Sequence, residues 1–443
     1  MKIVILSDGF PPNDISGAEV IAGNLAHALS RKGHEISVIT TVRDKSLAGI
    51  FKDNSLTIYK IYSDYDLRFR SYRSINNPKI VREVGRIVKE IRPDIVHAHN
   101  LHRYISYASL KEAKKYSKAV YLTMHDVMSV HYGKLGAKLD SLNTVVPSSI
   151  GPLGQFLQYK FYYNPFRNVA IRYYLRSVDK LFSVSLSLKK VLESSGVKGI
   201  EALQNGINIS DWKVDQSKLL EFKQKYNLEN KKVLFFGGRL SSAKGGLISI
   251  SVLKEVSIEM PDVVLLIVGD KNKSSEEMVK KAESLGVTDR LIFTGRIDHK
   301  DIRYAYASSD VVLVLSQYID PFPTVNLEAM ATARPIVGTI LGGTREAVLD
   351  NKTGYIVNPV DVKGISEKVL VLLSDSKKAE AFGIAGFERV KRNFNENDWA
   401  EATLSSYATM LSNKAADNST HNTANKKARK FRAQVSKKYL KKK

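Results

Sequence analysis

The sequence predicts an α/β protein with two Rossmann-like, doubly wound domains that face a central cleft, followed by a basic C-terminal tail. Three observations predict this fold. Short apolar runs alternate with segments of helical periodicity, the alternation stops at a polar stretch and then restarts, and the last residues are rich in lysine. At about 100–200 residues per domain, a chain of 443 residues is long enough for two such domains.

The first half of the chain contains six short apolar runs that are typical of buried strands. Stretches of helical periodicity lie between some of them, at Ala18–Arg31 and Lys79–Ile91. Strands that alternate with helices indicate a parallel sheet. The predicted strands are Ile3–Ser7, Glu35–Thr40, Leu56–Ile61, Asp94–His99, Ala119–Met124 and Leu181–Val184.

The second half repeats this pattern after a polar stretch, so we expect a hinge near residues 205–230 and ligand binding at the carboxyl ends of the strands. The predicted strands are Val233–Gly238, Val263–Gly269, Leu291–Gly295, Asp310–Ser316 and Pro335–Thr339. The predicted units are an acceptor domain at 1–208, a donor domain at 209–394, a helix at 395–412 that packs back on the first domain, and a disordered tail at 413–443.

Composition narrows the classes of function. The chain has no cysteine, which excludes disulfides and thiolate chemistry, and no apolar run approaches the ~18 residues that span a bilayer. The first residues resemble a strand and not a signal peptide. The net charge is +23, and Ser412–Lys443 holds eleven Lys and Arg against one Asp. Such an excess indicates an anionic partner, which leaves phosphate ligands, anionic lipid and nucleic acid open.

The strongest candidate site is the stretch from Asp320 to Glu328. A predicted strand ends at Ser316, a loop with Asp320 follows, and a helix opens near Thr324, which is expected to be its N-cap. The backbone N–H groups of Thr324 and Val325 at a helix start suit a diphosphate. Asp320 and Glu328 are placed to accept hydrogen bonds from different hydroxyls of one sugar nucleotide.

The letters DPFPTVNLEAMA in this stretch resemble the signature of the retaining group-1 glycosyltransferases, which have the GT-B fold. That signature has two glutamates separated by seven residues, followed by Ala-Met-Ala. Here Asp320 stands in place of the first glutamate, and Pro323 stands where glycine is common. The resemblance implies that Asp320 binds hydroxyls of the donor sugar and that Glu328 binds the nucleotide ribose. The shorter Asp320 bears on the identity of the sugar more than on the fold.

The letters FFGGRLSSAKGG resemble a second motif of the family and place Arg239 and Lys244 on a Gly-rich turn after a strand. A reaction that expels a nucleoside diphosphate builds negative charge on the leaving oxygens. Two preorganised cations stabilise that charge without a metal ion. No Walker Gly-Lys-Ser/Thr pattern is present in the sequence.

Further matches follow in the family's order over about residues 1–410. Gly17 opens a helix in the first loop and is expected to contact the donor diphosphate, and His125 follows a strand and is expected to shape the sugar site. The resemblance implies that Arg296 lies in the segment that meets the nucleobase, and Glu346 is expected near the site. We expect His97 and His99 to point to opposite faces of their strand and therefore not to bind a metal.

The acceptor side is predicted from residues 151–180. Eight aromatic residues lie between Phe156 and Tyr174, basic residues are interleaved, and no acid occurs before Asp179. This pattern suits an anionic membrane interface, but it also suits nucleic-acid stacking or a helix packed into the first domain.

The sequence therefore predicts a retaining hexosyltransferase-type enzyme that moves a sugar from a nucleoside-diphosphate sugar to a hydroxyl of a sugar or lipid-linked acceptor. We expect no metal or other cofactor, no nucleic-acid partner, and a cytoplasmic location at the inner face of the cell membrane. The oligomeric state stays open. The alternatives are a sugar-nucleotide epimerase or phosphorylase-like enzyme of the same fold, and a nucleic-acid-binding protein motivated by the charge.

Overall fold

The computed structural model of the protein describes residues 1–12, 16–139, 145–148, 151–298 and 300–416. Two parallel sheets, each flanked by helices, form two α/β domains, and this confirms the predicted fold class. The predicted tail lies outside the described residues from 417 onward. No helix among the described residues is both long and apolar enough to cross a membrane.

The N-terminal half builds an eight-stranded sheet and a separate hairpin of β7 and β8. Its strands are β1 (Lys2–Ser7), β2 (Glu35–Val42), β3 (Gly49–Asp53), β4 (Leu56–Tyr62), β5 (Ile95–His99), β6 (Ala119–Met124), β7 (Gly136–Leu139), β8 (Val145–Ser148), β9 (Lys180–Ser183) and β10 (Ile200–Ala202). The sheet order is β10-β9-β6-β5-β1-β2-β4-β3, and all pairs are parallel except β3 with β4. The five residues of β3 are exposed, and this strand, like β7, β8 and β10, is not among the predicted strands.

The second sheet has six parallel strands in the order β13-β12-β11-β14-β15-β16. They are β11 (Lys232–Gly237), β12 (Val263–Val268), β13 (Leu291–Gly295), β14 (Val311–Val314), β15 (Ile336–Thr339) and β16 (Gly354–Val357). Strands β11 and β14 are neighbours although they are far apart in the chain. Such a reversal of strand order is the position where α/β sheets bind ligands.

The helices of the first half are α1 (Gly17–Arg31), α2 (Arg70–Arg73), α3 (Pro78–Ile91), α4 (Ser109–Tyr116), α5 (Pro152–Tyr159), α6 (Arg167–Leu175) and α7 (Leu186–Ser194). Those that follow are α8 (Gln216–Lys225), α9 (Gly246–Glu259), α10 (Lys273–Leu285), α11 (Ile302–Ala307), α12 (Thr324–Ala331), α13 (Thr344–Ala347), α14 (Val362–Ser374), α15 (Ser376–Asn393) and α16 (396–416). The amphipathic α3 buries Ile80, Val84 and Val88 against the sheet.

The last helix, α16, crosses from the second domain and packs on the first. Trp399, Ala400 and Tyr407 join the core under β1 and β2. The hydroxyl of Tyr407 lies 2.5 Å from Nδ1 of His97, and Tyr121 donates to the backbone oxygen of Ser406 at 2.8 Å. The C-terminal helix thus belongs to the core of the N-terminal domain.

Two chain crossings connect the domains, and they run side by side. The N–H of Ile207 donates to the oxygen of Phe394 at 2.8 Å, and the N–H of Glu396 donates to the oxygen of Ile207 at 3.1 Å. A Cβ atom at Gly206 would lie 2.7 Å from the backbone oxygen of Asn395, so the crossings approach more closely than a side chain allows. This paired crossing lies at the start of the predicted hinge region.

Candidate active site in the interdomain cleft

Asp320 lies in the loop between β14 and α12 and is only 4% exposed. Its Oδ2 atom accepts from the Lys244 ammonium at 2.5 Å and from the Ser316 hydroxyl at 2.7 Å. Lys244 lies on the Gly-rich turn after β11. The two family-like motifs, which are 76 residues apart in the chain, therefore meet in a direct ion pair at the switch point of the second sheet.

The backbone around Asp320 is fixed by a close approach of the loop after β15. Asp320 pairs with Gly342 in an isolated bridge, and the N–H of Gly343 donates to the Asp320 oxygen at 2.8 Å. Gly342 has a φ of +79°, and a Cβ there would overlap the backbone oxygen of Asp320. The Gly-Gly pair therefore allows the contact that holds the carboxylate in place.

The pKa of Lys244 depends on its burial and on its contacts with a carboxylate and a phenol. Burial alone would lower the pKa of Lys244, but the contacts with Asp320 and Tyr318 outweigh it and raise the pKa above its ordinary value. Burial, followed by the charge of Asp320, raises the pKa of Tyr318. At neutral pH Lys244 is therefore a cation, and Tyr318 is a neutral phenol.

The helix α12 begins at Thr324, and its N-cap residue is Pro323. The prediction that Thr324 is the N-cap was wrong, because the extended conformation needed at that position falls on Pro323, one residue earlier. Thr324 and Val325 are half-buried at the N-terminus of the helix, whose first N–H groups lack intrahelical partners. A Cβ atom built on Gly238 would lie 4.0 Å from Val325, which brings the Gly-rich turn beside this helix start.

Glu328 lies on α12, one turn after the helix start. The hydroxyl of Tyr306 donates to its Oε2 at 2.5 Å. Burial, and then the charge of Glu328, raises the pKa of Tyr306 well above its ordinary value, so the phenol stays protonated as a donor. Tyr306 is nearly fully buried and therefore fixes the half-buried carboxylate from the protein side.

Arg239 and Arg296 follow β11 and β13 at the carboxyl edge of the second sheet, and both are exposed. Arg239 lies on the same turn as Lys244. Arg296 lies two strands away from β11, because β12 separates β11 from β13. The cations of the carboxyl edge thus include Arg239, Lys244 and Arg296.

On the first domain, Gly17 is the first residue of α1 and is exposed. A Cβ atom built on Gly17 would meet no atom of the described residues within 4 Å. Ser16 and Glu19 form a capping box at the same end of the helix, and Glu19 also pairs with Arg103 at 3.7 Å. A cap fixes the helix start and leaves the Gly17 backbone accessible.

His125 follows β6 and is held by neighbouring strand ends. Its Nε2 lies 3.0 Å from Nδ1 of His99, and its backbone N–H donates to the side chain of Asn100 at 3.0 Å. Burial lowers the pKa of His125 to about 4, although Asp126 opposes this shift. The imidazole is therefore neutral at physiological pH, and it offers hydrogen bonds without a charge.

His97 and His99 point to the same face of β5, since their ring centroids are 4.5 Å apart. The prediction that they face opposite sides was wrong, because alternate residues of a strand share a face. His97 is held by Tyr407 and by the Thr123 hydroxyl at 2.7 Å, which leaves neither nitrogen free for a metal. Within the residues that the structure describes, no group of three or more His, Asp or Glu side chains is arranged to hold a metal ion.

Glu346 connects the two domains. Its carboxylate accepts from the N–H groups of Leu186 and Ser187 at 2.8 and 2.7 Å and from the Gln204 amide at 2.9 Å. It therefore caps the N-terminus of α7 in the other domain. This contact gives Glu346 a role at the domain interface.

Sequence reasoning missed Ser316, Tyr318 and Tyr306. Ser316 and Tyr318 flank the Asp320 loop, and their proximity in sequence was a usable signal. Tyr306 is 22 residues from Glu328 and lies on α11, so its contact arises only from the packing of two helices.

Sequence profiles of two glycosyltransferase families match the chain. The profile described as "Glycosyl transferases group 1" matches residues 219–389, and the profile described as "Glycosyltransferase Family 4" matches residues 15–211. The chain belongs to the group-1 glycosyltransferases. It is therefore a glycosyltransferase, and the resemblance of the Asp320–Glu328 stretch to this family is confirmed.

A curated relative is similar to the chain over most of its length, and two solved structures share its fold. The chain is 26% identical over 389 residues to an uncharacterized glycosyltransferase of Methanocaldococcus jannaschii, which covers 85% of this chain and 90% of the relative. Sucrose-phosphate synthase from Thermosynechococcus elongatus has a similar structure, with a TM-score of 0.74 at 19% identity over 93% of this chain and 99% of that one. HepE of Anabaena, solved with UDP and glucose, has a TM-score of 0.69 at 19% identity over 92% and 100%.

Proposed function

We propose that this glycosyltransferase takes its sugar from a nucleoside-diphosphate sugar and transfers it to a hydroxyl acceptor with retention of configuration. The observation that carries the proposal is the ion pair of Lys244 and Asp320 beside the start of α12. It combines a cation for phosphate, a carboxylate for sugar hydroxyls and free helix N–H groups in one place. The structure of HepE with UDP-glucose supports a donor of this class.

Each part of the donor then has a proposed partner. Arg239, Lys244 and the N–H groups of Thr324 and Val325 bind the diphosphate, with Gly17 approaching from the other domain. Glu328, fixed by Tyr306, binds the ribose. The exposed Arg296 lies beside the nucleobase.

The bound donor changes the partners of the Lys244–Asp320 pair. The Lys244 ammonium then donates to phosphate oxygens, and the Asp320 carboxylate accepts hydrogen bonds from hydroxyls of the sugar. As the bond between sugar and phosphate breaks, the acceptor oxygen attacks from the same face, and its proton passes to the departing phosphate. The cations stabilise the charge on the diphosphate, so we propose that the reaction needs no metal ion or other cofactor. The neutral His125 shapes the sugar site.

A thermal-shift panel of UDP- and GDP-sugars tests the donor proposal. A ligand at about 100 times its dissociation constant adds ~2.7 kcal/mol to the free energy of unfolding. We expect stabilisation by at least one of these sugars and none by free hexoses. If the sugars transfer only in the presence of a dissolved metal ion, the metal-independent mechanism is wrong. If none of them stabilises the protein or is consumed, the donor class is wrong.

We propose further that the protein works at the cytoplasmic face of an anionic membrane on a lipid-linked or membrane-proximal acceptor, in glycan, polysaccharide or glycolipid synthesis. The support is an apolar surface on the first domain formed by α5, α6 and the turn between them. Its side chains are unusually exposed for their size. They include Phe161 (83%), Phe166 (74%), Leu153 (72%), Leu157 (68%) and Val169 (61%).

Basic residues border this apolar surface, and it lies close to the cleft. Arg68 packs over the ring of Tyr162 at 5.4 Å, and Lys111 donates to Tyr173 at 2.9 Å. Arg167, at the start of α6, donates to the oxygen of Met128 in the loop that follows His125. Exposed aromatic and aliphatic side chains with a basic border are typical of an interfacial membrane surface.

Vesicle co-sedimentation tests the membrane proposal. Compared with the wild type, the double variant Phe161→Ser and Phe166→Ser should bind phosphatidylglycerol vesicles at least about tenfold more weakly, since each buried Phe contributes about 1.5–3 kcal/mol. Ile258→Ser is the matched control, because Ile258 is 67% exposed on the second domain. Binding to neutral phosphatidylcholine should be weak. Equal binding of the double variant and the wild type would contradict the proposed surface.

A further inference from the structure

A segment of the first domain reaches across the cleft to the loop that carries Asp320. It leaves the end of β6 and runs through Lys134 to β7. The N–H of Ile319 donates to the oxygen of Leu135 at 3.0 Å, and Gly136 pairs with Tyr318 in an antiparallel bridge. The first domain thus contacts the donor loop through its backbone.

This contact places Lys134 beside the Gly-rich turn of the second domain. The Lys134 ammonium lies 3.3 Å from the hydroxyl of Ser241, which stands between Arg239 and Lys244 in sequence. It also lies 4.8 Å from the centroid of the Tyr318 ring. The ammonium of Lys244 lies 5.7 Å from the same centroid, so two cations from different domains flank one ring.

The charges at this position do not balance within the described residues. Burial, followed by the charges of Lys244 and Arg239, lowers the pKa of Lys134, whereas Asp320 raises it. Three cations, Lys134, Lys244 and Arg239, therefore lie close enough to influence one another. The carboxylate that opposes them is that of Asp320. Like charges held close together are unfavourable unless an anion joins them. The excess of two positive charges matches the two negative charges of the diphosphate in a nucleotide sugar.

We propose that Lys134 is a third cation of the diphosphate site, supplied by the first domain, so that the site is complete only when the two domains are closed. The inference rests on the proposed function. Lys134 contacts the terminal phosphate, where charge builds as the sugar leaves. A nucleoside monophosphate lacks that phosphate and does not engage Lys134. Domain closure thereby strengthens the stabilisation of the leaving group.

Nucleotide affinities test the proposal. Calorimetric titration of the wild type with UDP, GDP, UMP and GMP identifies the preferred base. For that base, Lys134→Ala should weaken diphosphate binding about tenfold, which is ~1.4 kcal/mol. Monophosphate binding should change less than about twofold, Lys134→Arg should restore most of the diphosphate affinity, and the exposed Lys138 gives the control Lys138→Ala.

The possible results separate this inference from the function on which it rests. Wild-type diphosphate affinity in Lys134→Ala would overturn the role of Lys134 and leave the donor proposal intact. Equal loss of monophosphate and diphosphate affinity would also overturn it, because a lysine that only holds the domains together affects both. If the wild type binds neither diphosphate, the donor proposal itself fails, and the role of Lys134 with it.

Discussion

The two walls of the cleft differ in charge. The wall of the second domain is ionic, with Lys244 charged and paired to Asp320 at 2.5 Å. The wall of the first domain presents His125 after β6, and burial lowers the pKa of His125 to about 4. At neutral pH the wall of the second domain therefore carries fixed charge, whereas His125 on the other wall is neutral and Lys134 is the cation that the first domain adds.

This difference in charge suits a donor that has two chemical parts, a charged diphosphate and a neutral sugar. A diphosphate needs cations that are already in place, because reorganising charges during the reaction is costly. Sugar hydroxyls are neutral, and we expect the neutral imidazole of His125 to bind them. The ionic wall also holds its charges in the absence of ligand, since Asp320 occupies the position beside Lys244.

The largest effect is expected when the cation of the ionic wall is removed. Lys244→Ala should lower turnover at least tenfold, and losses of about a hundredfold are common when a preorganised donor is removed. Steady-state assays with excess donor measure this effect, with Lys271→Ala as the control on an exposed lysine of the same domain.

Because Lys244→Ala leaves the buried Asp320 without its cation, stability must be controlled. The double variant Lys244→Ala with Asp320→Asn removes both charges and should recover stability without recovering turnover. Wild-type turnover in either folded variant would remove Lys244 from the mechanism.

The second prediction concerns the fixed carboxylate of the ionic wall. Tyr306→Phe removes the hydroxyl that donates to Glu328 at 2.5 Å and leaves the ring packing in place. A hydrogen bond to a charged group contributes about 1.5 kcal/mol, so donor affinity should fall about tenfold. Titration with the donor measures this change, and Tyr226→Phe is the control. Unchanged affinity would show that Glu328 needs no positioning by Tyr306.

The third prediction sharpens the description of the neutral wall. The pKa of His125 is about 4 in the folded protein and about 6.5 when unfolded. Between these values the unfolded chain binds more protons, so the stability contributed by His125 is present above pH 6.5 and is lost as the pH falls toward 4. Between pH 7 and pH 5 the wild type should lose about 2 kcal/mol more than His125→Asn.

Urea denaturation at the two pH values measures that difference. The variant is expected to be less stable at neutral pH, but only the change with pH bears on the prediction. Parallel losses in the wild type and the variant would mean that His125 is already protonated or freely solvated in the folded protein.

The fold was largely readable from the sequence because most of the parallel strands contain a short apolar run. Ala119–Met124 and Leu291–Gly295 coincide with β6 and β13. The exposed β3 and the three-residue β10 were not predicted. The exact first residue of a helix was harder to predict, as Thr324 shows. The cap position depends on backbone angles, which the local sequence favours but does not fix.

Local patterns and spacing were enough to predict the family, the two α/β domains and the two motifs that carry Lys244 and Asp320. Only the folded chain shows that these two residues form one ion pair, that His97 and His99 share a face, and that Lys134 reaches the Gly-rich turn from the other domain. The physical reason is the parallel sheet. It brings the carboxyl ends of distant strands to one edge, and two such edges meet across a cleft whose contacts no local pattern encodes.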